Sequence, residues 1–167
     1  MLPNFIGIGA QKSGTSTLFD LLKQHPNIYL PSCKEAHFFD MNDKYANGLS
    51  WYEKKFSSSV REEKAIGEIS PYYIYLDYVP KRIYDNLGEN IKLISILRDP
   101  MDRAYSHYWM SYKRGYEKES FESAINLEKE RIHKSEFGKN HFSYEDRGYY
   151  SKQIRGYLKY FTKENIK

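Results

Sequence analysis

A single cysteine, Cys33, occurs in the 167 residues, so no intrachain disulfide forms and no thiolate metal cluster assembles. The lone thiol reads as a packed or idle side chain. No apolar run approaches the roughly 18 residues of a membrane-crossing helix, and no signal-peptide pattern opens the chain. The plain expectation is a soluble, cytoplasmic protein, and a luminal domain of a longer anchored chain would look the same. Strong charge of one sign is also missing: 26 Lys and Arg face 22 Asp and Glu, a scattered net +4. So mild an excess suits an anionic small ligand or an acidic acceptor and is too weak to argue for nucleic acid. His25, His107, His133 and His141 show no ligand spacing, and no carboxylate cluster is placed to hold a metal. Repeats, low-complexity tracts and splitting linkers are absent, which leaves one domain over residues 1–167, large enough to bury a core.

What is present begins with Gly7-Ile8-Gly9-Ala10-Gln11-Lys12-Ser13-Gly14-Thr15-Ser16-Thr17-Leu18. It follows the apolar Phe5-Ile6-Gly7-Ile8 and opens an apolar-periodic stretch with Leu18, Leu21 and Leu22. Strand, glycine-rich turn, then helix aims backbone N–H groups and a helix N-terminus at an anion. Gly9 and Gly14 let the backbone bend, Lys12 adds a mobile charge, and Thr15, Ser16 and Thr17 add hydroxyls. An ordinary strand-to-helix loop has much the same composition. A Walker A motif is excluded, because Gly14 precedes Thr15 and the lysine sits two places earlier. A displaced lysine suggests a nucleotide handled differently from ATP.

Further along, a helix is expected from about Thr15 to Gln24, stopped by His25-Pro26. Asn27–Pro31 reads as a short strand, Asn42–Ser50 as loop, and Trp51–Phe56 as a short helix. Ala65–Ile69 reads as a second core strand. Pro80 suits the first turn of a helix that carries Val79, Ile83 and Leu87 on one face and closes at Gly88. Ile91–Leu97 is apolar almost throughout, the mark of a parallel strand buried on both faces. Asp102–Lys113 and Phe121–Ile132 read as helices and 134–147 as loop. A last helix near Tyr149 has Tyr150, Ile154, Tyr157, Leu158 and Phe161 at core-facing spacing. Alternating strands and helices imply an α/β fold, a central parallel sheet flanked by helices, with ligands gathering at strand carboxyl ends. Both the Gly9 loop and Arg98 stand at such ends.

The second unusual stretch is Leu97-Arg98-Asp99-Pro100-Met101-Asp102-Arg103-Ala104-Tyr105-Ser106-His107-Tyr108. Arg98, as a bidentate clamp, and Ser106, as a hydroxyl donor, are placed to meet one phosphate. The alternative is an arginine paired with Asp99 or Asp102 and a serine facing water.

Together the two stretches resemble the sulfotransferases that use 3′-phosphoadenosine 5′-phosphosulfate (PAPS). The resemblance rests on Lys12-Ser13-Gly14-Thr15, on Arg98 and Ser106 eight residues apart, and on the specific phrase from Arg98 to Tyr108. Lys34-Glu35-Ala36-His37-Phe38-Phe39, Glu68-Ile69-Ser70-Pro71-Tyr72 and Gly148-Tyr149-Tyr150 extend it over nearly the whole chain and point to the heparan-sulfate-type branch. It implies a P-loop-like three-layer α/β fold and in-line sulfuryl transfer from PAPS to a hydroxyl or amine, with adenosine 3′,5′-bisphosphate (PAP) as product and no metal. Lys12 would stabilise the leaving phosphate, and Ser13, Gly14, Thr15 and Ser16 would hold the 5′-phosphate with their N–H groups. Arg98 and Ser106 would hold the 3′-phosphate. Glu35 is the implied general base, with His37 second and better suited to orienting the acceptor, implied to be a saccharide. If the 35–37 segment is extended, both side chains face one side. Trp51, Tyr52, Tyr72 and Tyr73 form a candidate aromatic wall for a sugar. Family domains continue into another strand and a cofactor-closing loop, so the expectation is a domain that lacks both. The alternatives are a P-loop nucleotide kinase and a truncated, non-catalytic nucleotide-binding domain.

Overall fold

The apolar run Phe5–Gly9 forms strand β1, and all five residues are buried. In the computed structural model, which describes residues 1–56 and 63–167, the chain then enters helix α1 (Thr15–Lys23) and strand β2 (Ile28–Tyr29). Two short helices follow, α2 (Asn42–Tyr45) and α3 (Leu49–Glu53). Strand β3 (Ala65–Ile69), helix α4 (Val79–Leu87) and strand β4 (Lys92–Ser95) complete the sequential αβ part. Next come α5 (Pro100–Lys113), α6 (Phe121–Lys134), α7 (Glu136–His141) and α8 (Tyr150–Tyr157). The chain falls into two compact units: Met1–Leu97 with Lys152–Lys167, and Arg98–Ser151. No helix among the described residues is long and apolar enough to cross a membrane.

The first unit is built on a four-stranded sheet in the order β2-β3-β1-β4, every pairing parallel. That is the α/β fold read from the alternation of strands and helices. Central β1 sets Phe5 beside Gly67 on one side and Lys92 on the other, and its register with β4 shifts between Gly7 and Gly9. Phe5, Phe19, Leu30 and Ile69 form one core cluster, with Leu18 and Leu22 of α1 packed against it. Pro80 sits in the first turn of α4 and Gly88 caps its end at φ 77°, as the sequence implies.

β4 departs from expectation. Leu93 is fully buried, but Lys92 is exposed and Leu97 is 47% exposed. The strand lies outermost on its side of the four-stranded sheet, so an apolar run does not translate into burial on both faces. Among the described residues, only the bridge Leu93–Ile166 lies beyond it, with Lys167 N–H donating to Leu93 O (2.8 Å) and Ser95 N–H to Lys167 O (2.8 Å). The expected stripe on α8 is also only partly a core stripe. Tyr157 is buried and its hydroxyl donates to Tyr73 O (3.0 Å), whereas Leu158 is exposed. Asn42–Tyr45, expected as loop, forms α2.

The second unit is helical. Asp99 caps α5, its carboxylate accepting from Met101 N–H (2.9 Å) and Asp102 N–H (3.1 Å). Ala104, Tyr108, Ala124 and Tyr144 form its core cluster. Residues 134–147 are not plain loop: α7 starts on the Ser135 cap, whose Oγ accepts from Gly138 N–H, and Asp146–Gly148 makes a 3₁₀ turn. A six-residue helix is too short to print a period, so the only sequence sign was that capping serine. Buried Glu128 stabilises the 3₁₀ turn by accepting from Glu145 N–H (2.7 Å) and Asp146 N–H (2.8 Å).

Gly9, at the end of β1, is required by close packing. A Cβ there would stand 2.4 Å from Ile74 Cγ2 and 2.8 Å from its Cβ. Gly9→Ala should destabilise the protein by about 1–3 kcal/mol, as overpacking does, and Ile74→Ala in the same chain should recover part of that loss. Urea unfolding of the three variants tests it; an unaltered midpoint for Gly9→Ala would refute the packing argument.

Candidate active site

The end of β1 hands the chain to the lysine-bearing turn through Gly9-Ala10. Lys12 adopts a left-handed φ of 71° and Gly14, the N-cap of α1, a φ of 95°. Gly14 brings no capping side chain, and the first turn of α1 holds no acidic residue. Hence neither a cap side chain nor an acidic residue of the first turn offsets the positive end of the helix dipole. Ser13 does not play the part expected of its backbone: its N–H donates to Ala10 O (3.1 Å). Its hydroxyl is the available group instead, being buried with no hydrogen-bond partner. A buried orphan hydroxyl beside an uncapped helix start suits an anion that supplies the missing partner.

Lys34 lies against the same helix start. Its ammonium donates to Ser16 Oγ (2.9 Å) and Thr15 Oγ1 (3.5 Å) and reaches Glu35 Oε1 (3.4 Å). On the other side of the carboxylate, Glu35 Oε2 meets His37 Nε2 (3.1 Å), and His37 Nδ1 meets Asp40 Oδ2 (2.7 Å). Glu35 and His37 therefore do converge, but not because the segment is extended. His37 has a left-handed φ of 53°, and that turn swings its ring back onto Glu35. Hydrogen bonds to Asp40 and to Glu35 push the His37 pKa up to about 9 against the opposing effect of burial. Burial raises the Glu35 carboxyl, but the His37 hydrogen bond and the charges of Lys34 and His37 outweigh it and hold the group below the ordinary value. At neutral pH the arrangement is a carboxylate between two cations. Such a carboxylate can accept a proton, whereas a protonated imidazole cannot.

The segment is hung from a buried carboxylate. Glu68 on β3 is fully buried and accepts from Tyr52 Oη (2.5 Å), Tyr73 Oη (3.1 Å), Ser70 Oγ (2.8 Å) and Ala36 N–H (3.2 Å). Burial raises its carboxyl pKa, and these four donors pull the other way. Tyr73 Oη in turn accepts from Phe38 N–H (3.0 Å) and Phe39 N–H (3.3 Å). Thus the backbone from Ala36 to Phe39, which flanks and carries His37, hangs on Glu68 and Tyr73. The expected aromatic wall does not survive for two of its four members. Tyr52 and Tyr73 are fully buried, and Tyr52 stacks on Phe38 at 4.5 Å, so both are core and anchor residues rather than sugar contacts. Trp51 and Tyr72 are half-buried. Cys33 is exposed.

Arg98 and Ser106 belong to the second unit. Arg98 pairs with Asp102 (3.5 Å), one of the two aspartates foreseen as its alternative partners, while Asp99 is occupied as the α5 cap. Ser106 lies half-buried on α5, one turn beyond Asp102. The structure thus brings Lys34, Glu35 and His37 together with the hydroxyls of Thr15 and Ser16, and holds Arg98 on Asp102. Two residues escaped the sequence reading: Asp40, which charges His37, and Lys34, noted only as part of a motif. The spacing His37-x-x-Asp40 was the one available sign of the former.

His37 offers a direct check on these electrostatics. Its imidazole should titrate by NMR with a midpoint near 9, and Asp40→Asn should bring that midpoint down toward the ordinary value of about 6.5. Since the folded-state pKa is raised, the stability contributed by the His37 cation is present below about 6.5 and is lost as pH rises through about 9. A midpoint that ignores Asp40→Asn would show that Asp40 does not charge the ring.

The family described as Sulfotransferase domain matches residues 2–167. The membrane-associated sulfotransferase kil1 of Dictyostelium discoideum is 46% identical over 112 residues, covering 66% of this chain and 23% of that protein. Heparan sulfate glucosamine 3-O-sulfotransferase 5 of Mus musculus is 43% identical over 107 residues, 64% of this chain and 30% of that protein. The bifunctional heparan sulfate N-deacetylase/N-sulfotransferase 4 of Mus musculus is 40% identical over 122 residues, 70% of this chain and 14% of that protein. The chain thus spans less than a third of the length of these curated relatives. A crystal structure of a sulfotransferase from Alicyclobacillus acidocaldarius superposes with a TM-score of 0.84 at 34% identity, covering 100% of this chain and 72% of that one. By its matched length, its fold and its motifs, the chain belongs to the sulfotransferase domain family.

Proposed function

We propose that the protein moves a sulfuryl group from PAPS to a hydroxyl or amine of a saccharide, with Glu35 as general base. The observation that carries this reading is the Glu35 carboxylate, held ionised between His37 and Lys34 beside the hydroxyls of the α1 start. The saccharide class is supported by the relatives whose names specify heparan sulfate. Phosphosulfate supplies the activated sulfuryl group. Ser13 Oγ and the N–H groups of the first turn of α1 receive its 5′-phosphate, and Arg98 and Ser106 are assigned to the 3′-phosphate. Glu35 takes the proton from the acceptor as the new bond to sulfur forms. The bridging S–O bond breaks, its electron pair stays on the 5′-phosphate of PAP, and Lys12 stabilises the charge that develops there. A loose transition state asks mainly for positioning and charge stabilisation, which a rigid loop and a helix terminus provide.

His37 enters as a positioning residue. Both ring nitrogens are engaged and the ring carries a proton at neutral pH, so it orients Glu35 and does not compete for the acceptor's proton.

Glu35→Gln should lower kcat by about 10² to 10⁴, the range for loss of a general base, with donor binding retained. His37→Ala should reduce kcat less and move the pH profile. Initial-rate measurements with a heparan-type oligosaccharide discriminate the two, and turnover abolished by the histidine change alone would overturn the choice of base.

Calorimetry in the presence of a chelator should show PAP bound in preference to ATP. A preference for ATP with Mg²⁺ would instead favour a nucleotide kinase, and PAP binding with no transfer to any oligosaccharide would favour a non-catalytic domain.

A further inference from the structure

Two lysines crowd the start of α1. A cation at a helix N-terminus opposes the helix dipole, and neither an acidic first-turn residue nor a capping side chain relieves it here. Lys34 nevertheless rests there, its ammonium on the hydroxyls of Ser16 and Thr15, and the anion it reaches is Glu35. The Lys34 side chain is 23% exposed, so the ion pair is partly shielded from water. A lysine held in an unfavourable field, between an anion-binding turn and a carboxylate, is positioned to serve both.

We propose that Lys34 is a shared cation of the transfer site, contacting the phosphosulfate of the donor while forming the ion pair that keeps Glu35 ionised. This rests on the sulfuryl-transfer reading. The hydroxyls that now receive the ammonium belong to the first turn of α1, which is assigned to the donor's 5′-phosphate. A donor seated there therefore meets Lys34 as well as Lys12. The donor's anionic oxygens then compete with Glu35 for one ammonium. Donor binding weakens the Lys34–Glu35 pair and makes the carboxylate a stronger base at the moment an acceptor can be sulfated. The other groups facing this segment are His37 on Glu35 Oε2, Asp40 behind His37, and Lys44 of α2, whose ammonium donates to Ala36 O (3.2 Å); Glu68 lies on the far side of Ala36. Among the described residues it is the Lys34 ammonium that bonds both the α1 hydroxyls and Glu35, so the coupling is assigned to Lys34.

The test uses Lys34→Met, Lys34→Gln and Lys34→Arg, with Lys23→Met at the other end of α1 as a control of equal charge change. PAP binding is measured by calorimetry and the pH profile of kcat/KM by initial rates. Lys34→Met and Lys34→Gln should each weaken PAP binding on the order of tenfold, as loss of a charge-assisted contact does. Both should also shift the acid limb of kcat/KM to higher pH, since Glu35 loses a cationic partner. Lys34→Arg should restore both readouts and Lys23→Met should change neither. A purely structural lysine would not move the acid limb in a protein that melts like the wild type. PAP binding as tight in Lys34→Met as in the wild type would overturn the inference alone. Failure of the wild type to bind PAP would overturn the sulfuryl-transfer reading, and the inference with it.

Discussion

A carboxylate with no access to water, Glu68, determines the path of the segment that carries Glu35 and His37. An ionised or hydrogen-bonded carboxyl group in such a place needs several donors at once. It finds them in Tyr52, Tyr73, Ser70 and the N–H of Ala36. The first three come from the aromatic core and the end of β3, and the fourth from a segment with no regular secondary structure. That last bond converts a loop into a fixed element, because releasing Ala36 would leave a buried acceptor short of a donor. Tyr73 extends the same constraint by accepting from Phe38 and Phe39. The segment from Ala36 to Phe39 is held in place by the carboxylate beneath it and the tyrosine bound to that carboxylate.

From that anchor the surface charges follow. His37, carried on a left-handed turn, lies between Glu35 and Asp40 and takes on a proton. A protonated ring and the Lys34 ammonium hold Glu35 as a carboxylate, low in pKa yet close to the hydroxyls of α1. A carboxyl group held below its ordinary pKa gives up its proton readily, so these neighbours favour complete ionisation of Glu35.

The second unit shows buried charge used for a different purpose. Glu128 receives two backbone N–H groups, and Glu117, also buried, binds Arg131 (2.7 Å) and the Tyr144 hydroxyl (2.8 Å). Arg103, fully buried, donates to the carbonyl of Tyr144. These groups hold residues 134–148 in place without a long helix, which is why so polar a stretch is ordered and why its pattern did not announce it. Buried polar groups bonded to the backbone in this way stabilise a particular path of the chain as well as its compactness.

By itself the sequence determined the parallel α/β arrangement, the lysine-bearing turn after β1, the helix beginning at Arg98-Asp99-Pro100, and the family to which they point. Each of these is written in local order: apolar runs, a glycine whose φ must be positive, a proline and an aspartate at a helix start. Tertiary structure alone decided the rest. It made β4 an outer strand, turned Tyr52 and Tyr73 from surface candidates into supports of Glu68, and turned the Ser13 N–H inward while leaving its hydroxyl orphaned. It also set the charge states of Glu35 and His37, since these depend on Asp40 and Lys34 reaching them in space. Protonation is set by the field of neighbours brought together by folding, and no spacing along the chain encodes that field.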